Sequence, residues 1–341
     1  MGLLTGARSI PLVIGYHRVV EEAAREENCL PGMIITRNTL ERHLDWIGQR
    51  FDFITLDETG ARLRSGEGLD KPVATVTFDD GYRDFYTHAF PLLKRKGIPA
   101  AVFPVTGLIG TSQLHFFDKL YHLLAQAFSR WRDRHRELSR LLVGLGMPVP
   151  ERMETRDLGA YEAVRALLDS FSQREIYRVM ESLEGEIESE EELLGNLRLL
   201  DWEMLSEMRH SGITIGSHTV THAFLTNETF QKVLDETMLS RAELEKRLGT
   251  KIEHFAYPSG RFNPRVVAAV AAADYNFAYT TCSHQDPMYP FLTIPRKMLW
   301  ENSTLDSLDH FSSALLSCQV HRALDWASPC KLEHRRAWPT F

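Results

Sequence analysis

Two adjacent carboxylates, Asp79 and Asp80, are the residues of this chain best placed to do chemistry. They follow the apolar, β-branched run 73–76 and precede Gly81, so they lie where a buried strand should end and a turn should begin. The carboxyl ends of parallel strands are where α/β folds bind ligands. Neighbouring side chains of an extended segment diverge, so we expect one carboxylate to hold a metal ion and the other to handle a proton. The alternative is that both only cap a helix beginning near Tyr82.

A pair of histidines, His218 and His222, is the second chemical feature. They are the only two of the 14 histidines that stand four residues apart, and they follow the short apolar segment 213–217. Histidines at this spacing lie on one face of a helix turn and can share one ion. With an aspartate they form a ligand set that suits Zn²⁺ and leaves positions for water and substrate. The alternative is two incidental surface histidines, because such pairs also arise by chance.

The elements that must position these residues follow an α/β pattern. Strand-like and helical segments alternate along the chain, which predicts a parallel sheet with both motifs at the carboxyl ends of strands. Strands are predicted near 11–16, 52–56, 73–78, 100–105, 213–216, 254–257, 276–281 and 291–295. Helices are predicted at 39–49, 82–96, 230–248 and 264–273.

Local signals mark where several of these helices begin and end. Asn38 and Asn263 are predicted N-caps of the first and last of them, and Gly97 and Gly249 are predicted to end the two between. Pro91 lies inside the second helical pattern, where it predicts a kink or a restart. The sequence therefore predicts interrupted rather than uniform helices around the sheet.

Residues 112–198 interrupt the alternation and are predicted to be a helical insertion. Apolar residues recur at helical spacing in 116–131 and again in 161–183, and the run 184–192 is strongly acidic and exposed. The insertion departs from a predicted strand end on the face that should carry the active site. It is therefore either a lid that shapes substrate binding or a cap that makes no contact with substrate.

Composition narrows the classes of function. The 341-residue chain has a net charge of −7 and no large basic cluster, which argues against a nucleic-acid partner. The four cysteines form no C-x-x-C pair, so neither a zinc knuckle nor a redox motif is predicted, while a disulfide stays open. The four are Cys29, Cys282, Cys318 and Cys330. The sequence does not specify an oligomeric state.

The location expected from the sequence is cytoplasmic. The first ten residues are mixed, and the apolar stretch 10–16 is too short for the core of a signal peptide. No stretch approaches the ~20 apolar residues of a transmembrane helix. A signal segment removed from the chain would change this expectation to the periplasm or the exterior.

The sequence resembles the polysaccharide deacetylases, the carbohydrate esterases built on the NodB homology domain. The first family motif, T-F-D-D-G, stands at residues 77–81, and the second, H-S/T-x-x-H, at residues 218–222. The third, R-x-P-x-G, appears without its arginine in the segment F-A-Y-P-S-G at 255–260. This form is similar to the subgroup that acts on poly-N-acetylglucosamine. The family's late leucine-x-histidine motif is absent from the corresponding segment 292–296.

The resemblance implies a fold and a division of the chain. The fold would be α/β, a distorted or incomplete (β/α) barrel of about seven strands with a helical insertion. The deacetylase domain would cover residues 1–311, with the insertion at about 112–198, and residues 312–341 would be a tail of unknown role.

The resemblance also implies roles for the motif residues. Asp80, His218 and His222 would bind one divalent metal ion, and three protein ligands leave positions for water and for the acetyl oxygen. Asp79 would be the general base. Backbone N–H groups of the third motif would help to hold the oxyanion, that of Ser259 in particular. This turn consists of Tyr257, Pro258, Ser259 and Gly260.

Three further roles depend on residues that the common motifs do not specify. The resembling subgroup carries its general acid at the end of the first strand, which implies that role for His17, with His254 and His284 as the next candidates. Arg296 would orient the base in place of the missing arginine. The aromatic side chains of Tyr16, Tyr257 and Trp300 would either stack on sugar rings or belong to the core.

These residues together predict a metal-dependent hydrolase that removes N-acetyl groups from an N-acetylated sugar or polysaccharide and releases acetate. The expected ion is Zn²⁺, with Co²⁺, Ni²⁺ or Mn²⁺ as alternatives. Two other functions stay open. One is a deacylase of a small N-acyl molecule or a lipid-linked sugar. The other is a catalytically impaired, metal-dependent glycan-binding protein on the same fold.

Overall fold

Parallel strands carry the sequence motifs to one end of the fold. The computed structural model describes residues 11–21, 30–66, 71–153, 158–184, 197–323 and 325. The strands are β1 (Leu12–Tyr16), β2 (Arg18–Val20), β3 (Ile34–Thr36), β4 (Asp52–Phe53), β5 (Val73–Asp80), β6 (Ala100–Pro104), β7 (Thr214–Ile215), β8 (His254–Ala256), β9 (Phe277–Thr280), β10 (Ile294–Pro295) and β11 (Lys297–Met298). The helices are α1 (Arg37–Gly48), α2 (Leu56–Ser65), α3 (Phe90–Lys96), α4 (Phe116–Arg130), α5 (Arg134–Gly144), α6 (Ala160–Ser170), α7 (Gln173–Glu184), α8 (Trp202–His210), α9 (Phe230–Leu248), α10 (Pro264–Ala272) and α11 (Ser313–Val320).

Apart from the separate parallel pair β2–β3, the described strands form two parallel sheets that continue into each other. The larger has the order β11-β1-β5-β6-β7, with β4 paired to the beginning of β5, and the smaller has the order β10-β9-β8. A parallel bridge between Ser217 and Phe255 joins β7 to β8. The segment 294–298 pairs first with β9 and then with β1. These connections confirm the predicted distorted barrel of about seven strands.

Strand β5 lies at the centre of the larger sheet and ends at the paired aspartates. All eight of its residues are buried, because β1 and β6 flank it and helices cover it. The strand runs two residues further than predicted, so Asp79 and Asp80 are its last residues rather than part of a turn. Asp80 has a φ of 70°, and Gly81 follows with a φ of 75°. A Cβ on Gly81 would lie 2.9 Å from the Pro104 side chain, so this turn requires glycine.

The helices around the barrel match most of the predicted boundaries. Asn263 caps α10 as predicted, and Gly249 ends α9 in the left-handed conformation. The predicted N-cap Asn38 is wrong, because the Thr36 hydroxyl accepts the Thr39 N–H and α1 begins earlier. The helix predicted at 82–96 is interrupted, as Pro91 predicts, because a wider five-residue turn, Phe85–Ala89, precedes α3.

Other predicted boundaries are wrong for local reasons. The strand predicted at 291–295 begins only at β10, after a short 3₁₀ turn, and α2 begins within the strand predicted at 52–56. The helical pattern 161–183 is two helices, α6 and α7, separated at Phe171. The pair β2–β3 and the helices α2, α5, α8 and α11 are not predicted, because they are short or carry weak periodicity.

The insertion has a hydrophobic core of its own. Helices α4, α5, α6 and α7 bury a continuous apolar cluster that is separate from the main core of the barrel. Phe224, just beyond the second motif, and Leu30, before β3, join this cluster from outside the insertion. Packing of the insertion is therefore continuous with the loop that carries His218 and His222. Most of the acidic run 184–192 lies outside the described residues.

The predicted boundary at residue 311 falls just before α11. Leu316 and Val320 of this helix are buried in the main core, and Lys297 pairs with Asp325 at 2.7 Å. Among the described residues no helix is both long and apolar enough to cross a bilayer. Cys282 and Cys318 do not form a disulfide with each other, and Cys29 and Cys330 lie outside the described residues.

Candidate metal centre and active site

Asp80, His218 and His222 meet at the carboxyl ends of the strands. The two imidazole Nε2 atoms lie 3.4 Å and 3.3 Å from Oδ1 of Asp80, and the three side chains are almost completely buried. One ligand atom from each residue lies within 4.8 Å of the others. Two atoms bound tetrahedrally to one ion at ~2.0–2.1 Å lie roughly 3.3 Å apart. The spacing of the cluster is therefore that of a metal site.

The hydrogen bonding of the cluster fits an ion as well. Among the described residues neither carboxylate oxygen of Asp80 has a hydrogen-bond partner, although both are buried. A buried carboxylate without donors is strongly unfavourable, and a cation would satisfy it. The other ring nitrogen of His218, Nδ1, lies 2.7 Å from the Ala256 carbonyl and is therefore an N–H donor, so that in the neutral imidazole Nε2 carries the lone pair that faces Asp80.

Electrostatics keep the aspartate in the form that binds metal. Burial by itself raises the pKa of Asp80, but the imidazoles of His218 and His222 outweigh it, and the pKa lies well below its usual range. Burial lowers the pKa of His222 despite the nearby carboxylate, which favours the neutral imidazole that binds metal.

The two histidines converge through a loop and not through a helix turn as predicted. Residues 218–222 have no helical hydrogen bonding, and both Thr219 and His222 have positive φ angles, of 70° and 60°. The His222 N–H donates to the Thr219 hydroxyl at 2.9 Å. The loop thus brings both rings to Asp80 by a strained backbone rather than by helical spacing.

Asp79 points to a different partner, Arg296. The guanidinium donates to Oδ1 at 2.7 Å and to Oδ2 at 2.6 Å, and a further hydrogen bond reaches the Thr77 hydroxyl at 3.1 Å. Arg296 is buried between β10 and β11, so its side chain enters the barrel interior. Bidentate pairing holds a carboxylate in one orientation.

The charge state of Asp79 follows from this pairing. Burial raises the pKa of Asp79, but the charges of Arg296 and His218 and the Arg296 hydrogen bonds outweigh it, so the pKa lies below its usual range. The side chain is therefore an ionised carboxylate at neutral pH, as a proton acceptor must be.

One pocket of about 370 Å³ contains the candidate residues. His17, half-buried after β1, lines it together with Asp79, Asp80 and both histidines. Ser259 and Gly260 line it from the third motif. Ser259 has a φ of 56°, and a Cβ on Gly260 would lie 2.0 Å from the Thr281 hydroxyl, so the turn requires glycine there.

Several aromatic and histidine candidates lie outside the pocket. Tyr16 is fully buried, 3.1 Å from a ring nitrogen of His43, and Tyr257 donates to the Leu292 carbonyl at 2.8 Å, so both belong to the core. The structure therefore favours the core role for both, one of the two roles that the sequence left open, over contact with sugar. His254 is the first residue of β8, where it pairs with Asp57, and so lies away from the strand ends that carry the metal cluster.

The remaining candidates are also outside the pocket. Half-buried Trp300 and buried Pro258 do not line it, and exposed His284 packs on Phe262. Pro258 begins the short turn that carries Ser259 and Gly260 to the pocket wall.

The insertion contributes directly to the pocket. Helix α6 lines it with Tyr161, Val164, Arg165, Leu168 and Asp169, and α4 lines it with Phe117. An ion pair of 2.6 Å between Asp169 and Arg261 ties α6 to the turn that follows the third motif. The insertion is therefore part of the pocket wall, which favours a role in shaping substrate binding over a cap that makes no contact with substrate.

Sequence reasoning missed three polar residues around the metal cluster. His115 lies 3.1 Å from the Asp80 carbonyl, while Glu236 and Gln173 hold the loop between the two histidines. The sequence carries a signal for Glu236 only, because a glutamate on the buried face of an amphipathic helix requires partners.

The fold and the cluster define a barrel protein with a candidate divalent-metal site at the carboxyl ends of its strands. Residues 66–139 and 153–278 match the family described as polysaccharide deacetylase. Because the match covers more than half of the chain, the protein belongs to the polysaccharide deacetylase family.

Curated relatives share parts of the sequence. The poly-β-1,6-N-acetyl-D-glucosamine N-deacetylase of Escherichia coli K12 is 29% identical over 126 residues, which are 36% of this chain and 18% of that protein. The enzyme of the same name from Staphylococcus aureus N315 is 28% identical over 123 residues, 32% of this chain and 40% of that protein. The chain thus spans less than half the length of these relatives.

Solved structures share the fold. The deacetylase PplD of Streptococcus pyogenes, in complex with acetate, has a TM-score of 0.55 at 19% identity, over 86% of this chain and 93% of that one. IcaB from Ammonifex degensii has a TM-score of 0.53 at 19% identity, over 86% of this chain and 94% of that one. These similarities support the barrel fold.

Proposed function

We propose that this protein is a metal-dependent hydrolase that removes N-acetyl groups from an N-acetylated sugar or polysaccharide and releases acetate. The observation that carries the proposal is the buried cluster of Asp80, His218 and His222, with Asp79 as an independently held carboxylate in the same pocket. A protein that only binds glycans has no need of a second carboxylate oriented by two hydrogen bonds from Arg296. This pairing favours an enzyme over a binding protein.

The residues of the pocket match the steps of amide hydrolysis. A divalent ion would supply Lewis acidity towards the acyl carbonyl and towards water. Asp79 accepts the proton of the attacking water, and Arg296 keeps its carboxylate in place. The Ser259 N–H lies in the turn that lines the pocket and is the donor proposed for the oxyanion. His17 gives a proton to the departing amine.

We propose Zn²⁺ as the ion, with Co²⁺, Ni²⁺ and Mn²⁺ as alternatives. Two imidazoles and one carboxylate form a borderline ligand set that suits zinc with open coordination positions. Loading the metal-free protein with each ion separately, and measuring both affinity and acetate release, would identify the ion that supports turnover.

The substrate proposal begins from the relatives and from the pocket wall. The curated relatives are named for poly-β-1,6-N-acetyl-D-glucosamine, which makes that glycan the first substrate to test. The wall also has an apolar side. This feature favours a second candidate, an N-acyl sugar with an apolar group such as a lipid carrier. The apolar side consists of Leu30, Pro31, Met33, Phe117, Val164, Leu168 and Phe224.

An assay panel tests the function directly. It would contain β-1,6- and β-1,4-linked N-acetylglucosamine oligomers, peptidoglycan fragments, monomeric N-acetyl sugars and a lipid-linked N-acetyl sugar, each with and without metal. We expect acetate release from at least one class, dependent on metal. The absence of acetate from every class with the metal-loaded protein would contradict the proposal.

The cytoplasmic location stays a prediction of the sequence.

His17→Ala is expected to lower amide turnover while metal binding is retained. An amine leaves only after it gains a proton, so removing the proton donor slows this step. An aryl acetate ester needs no such proton and should lose much less activity. An equal loss on amide and ester would assign His17 a structural or binding role.

Arg165→Ala and Tyr161→Ala are expected to change the ranking of glycan substrates and to spare hydrolysis of a small aryl acetate. Both side chains project from α6 into the pocket wall, and neither is buried, so the fold should tolerate the changes. Measuring KM and kcat across the panel tests this expectation. Arg140→Ala is the matched control, because Arg140 is an exposed arginine of α5 that does not line the pocket. Unchanged ranking in both variants would remove the specificity role.

A further inference from the structure

Backbone hydrogen bonds hold one side of the loop between the two histidines against the end of β6 and the loop that follows it. The His218 N–H donates to the Pro104 carbonyl at 3.2 Å, and the carbonyls of Thr219 and Val220 accept from the loop after β6 at 3.1 Å and 2.8 Å. Thr219 and His222 have positive φ angles, which for residues other than glycine are unfavourable unless surrounding contacts impose them. The conformation that brings the rings together is therefore imposed by its neighbours.

The buried carboxylate of Glu236 holds the other side of the loop by accepting hydrogen bonds from its N–H groups. One oxygen accepts the N–H groups of Val220 and Thr221 at 2.8 Å and 2.9 Å. The other lies 2.6 Å from the Thr221 hydroxyl and 2.7 Å from the ammonium group of Lys232. The side chain projects from α9 and is only 1% exposed. Consecutive N–H groups directed at one oxygen need an acceptor with free lone pairs, and a carboxylate provides it.

The insertion reaches the same residue from the other side. Gln173, the first residue of α7, donates its side-chain N–H to the Thr221 carbonyl at 2.9 Å, and its Oε1 lies 2.9 Å from the Thr221 hydroxyl. Its own backbone N–H donates to Glu228 at 2.7 Å. Thr221 is thus held jointly by a barrel helix and by the insertion.

We propose that Glu236 is a positioning residue of the metal centre. By accepting the N–H groups of Val220 and Thr221 it keeps the loop in the conformation that directs both imidazoles to Asp80. Gln173 couples the insertion to the same loop. The inference rests on the proposed metal site, and it assigns to Glu236 and Gln173 a role that neither the motif pattern nor the pocket lining indicates.

The test compares Glu236→Ala, Glu236→Gln and the control Glu301→Ala in the full chain. Glu301 is a suitable control because its carboxylate accepts the Thr36 N–H and the hydroxyls of Thr36 and Thr39, outside the pocket. Zinc affinity is measured by competition with a chromophoric chelator. Amide hydrogen exchange at residues 220 and 221 is measured without metal.

Glu236→Ala is expected to bind zinc about 10–100-fold more weakly, the usual effect of losing a residue that supports metal ligands. Exchange at residues 220 and 221 should accelerate in the same variant. Glu236→Gln keeps one carbonyl oxygen for the two N–H groups, so it should recover most of the affinity. Glu301→Ala should keep wild-type affinity even where its melting temperature falls.

Wild-type zinc affinity and unchanged exchange in Glu236→Ala would overturn the proposal. If that variant does not fold, Glu236→Asp takes its place, because it keeps the charge and withdraws the carboxylate by one methylene from the N–H groups of Val220 and Thr221. Weaker zinc binding and faster exchange at residues 220 and 221 in Glu236→Asp would support the proposal, and unchanged binding and exchange would overturn it. The exchange experiment needs no metal, so it tests the role of Glu236 even if the wild-type protein binds no zinc and the proposed function fails.

Discussion

Asp79→Asn is expected to lower turnover by about 10²–10⁴-fold while the protein still binds its metal ion. A general base in place typically contributes a factor of this size, and an amide cannot accept the proton. The metal ligands are separate residues, so metal affinity should change little. Steady-state kinetics together with zinc titration would measure both quantities.

The structure adds an expected loss of stability to this substitution. Arg296 is 1% exposed and bonded to both oxygens of Asp79, so the amide would leave a buried guanidinium without its counter-charge. Breaking such a pair from one side costs about 3–5 kcal/mol. The double variant Asp79→Asn/Arg296→Met should therefore regain stability without regaining turnover. Full activity of Asp79→Asn would show that Asp79 is not the base.

His222→Ala is expected to abolish tight metal binding and, with it, hydrolysis. His222 is one of three ligands, and losing one from a site with open positions leaves two, too few for a stable complex. Metal analysis after zinc loading should show about one equivalent in the wild-type protein and far less in the variant. Activity should fall in parallel with the bound metal.

The control for this variant is His43→Ala. His43 is as buried as His222, but its ring bonds Tyr16 and Thr304 in the core and does not line the pocket. We expect it to lose stability and to keep its metal. Full metal content and activity in His222→Ala would remove this residue from the metal centre.

The residues that carry the chemistry can be identified from short segments of the chain. The carboxylates at 79 and 80 and the histidines at 218 and 222 were singled out by residue type and by their place after apolar strands. The strand boundaries near them were also predicted, because a buried parallel strand is a continuous apolar run that ends where polar residues begin. This information is local, so the sequence contains it.

The sequence does not predict the backbone conformation that brings the two histidines together. Spacing of four residues predicted a helix turn, and the structure has a loop with two positive φ angles. The loop is stabilised by Glu236 and Gln173, which lie 15 and 48 residues from Thr221. Contacts with residues distant in the sequence therefore override the helix turn that the local spacing predicts. No periodicity in the sequence marks such contacts.

The sequence by itself determined the fold class, the metal ligand types and the second carboxylate. The tertiary structure decided which side chains position the metal ligands and the second carboxylate. Arg296 reaches Asp79 across 217 residues because the segment 294–298 passes from β9 to β1 beside β5. Tyr16 and Tyr257 turned inward for the same reason, since the barrel decides which face of each strand is core. Contacts between distant strands depend on barrel register, and register is a property of the folded chain as a whole.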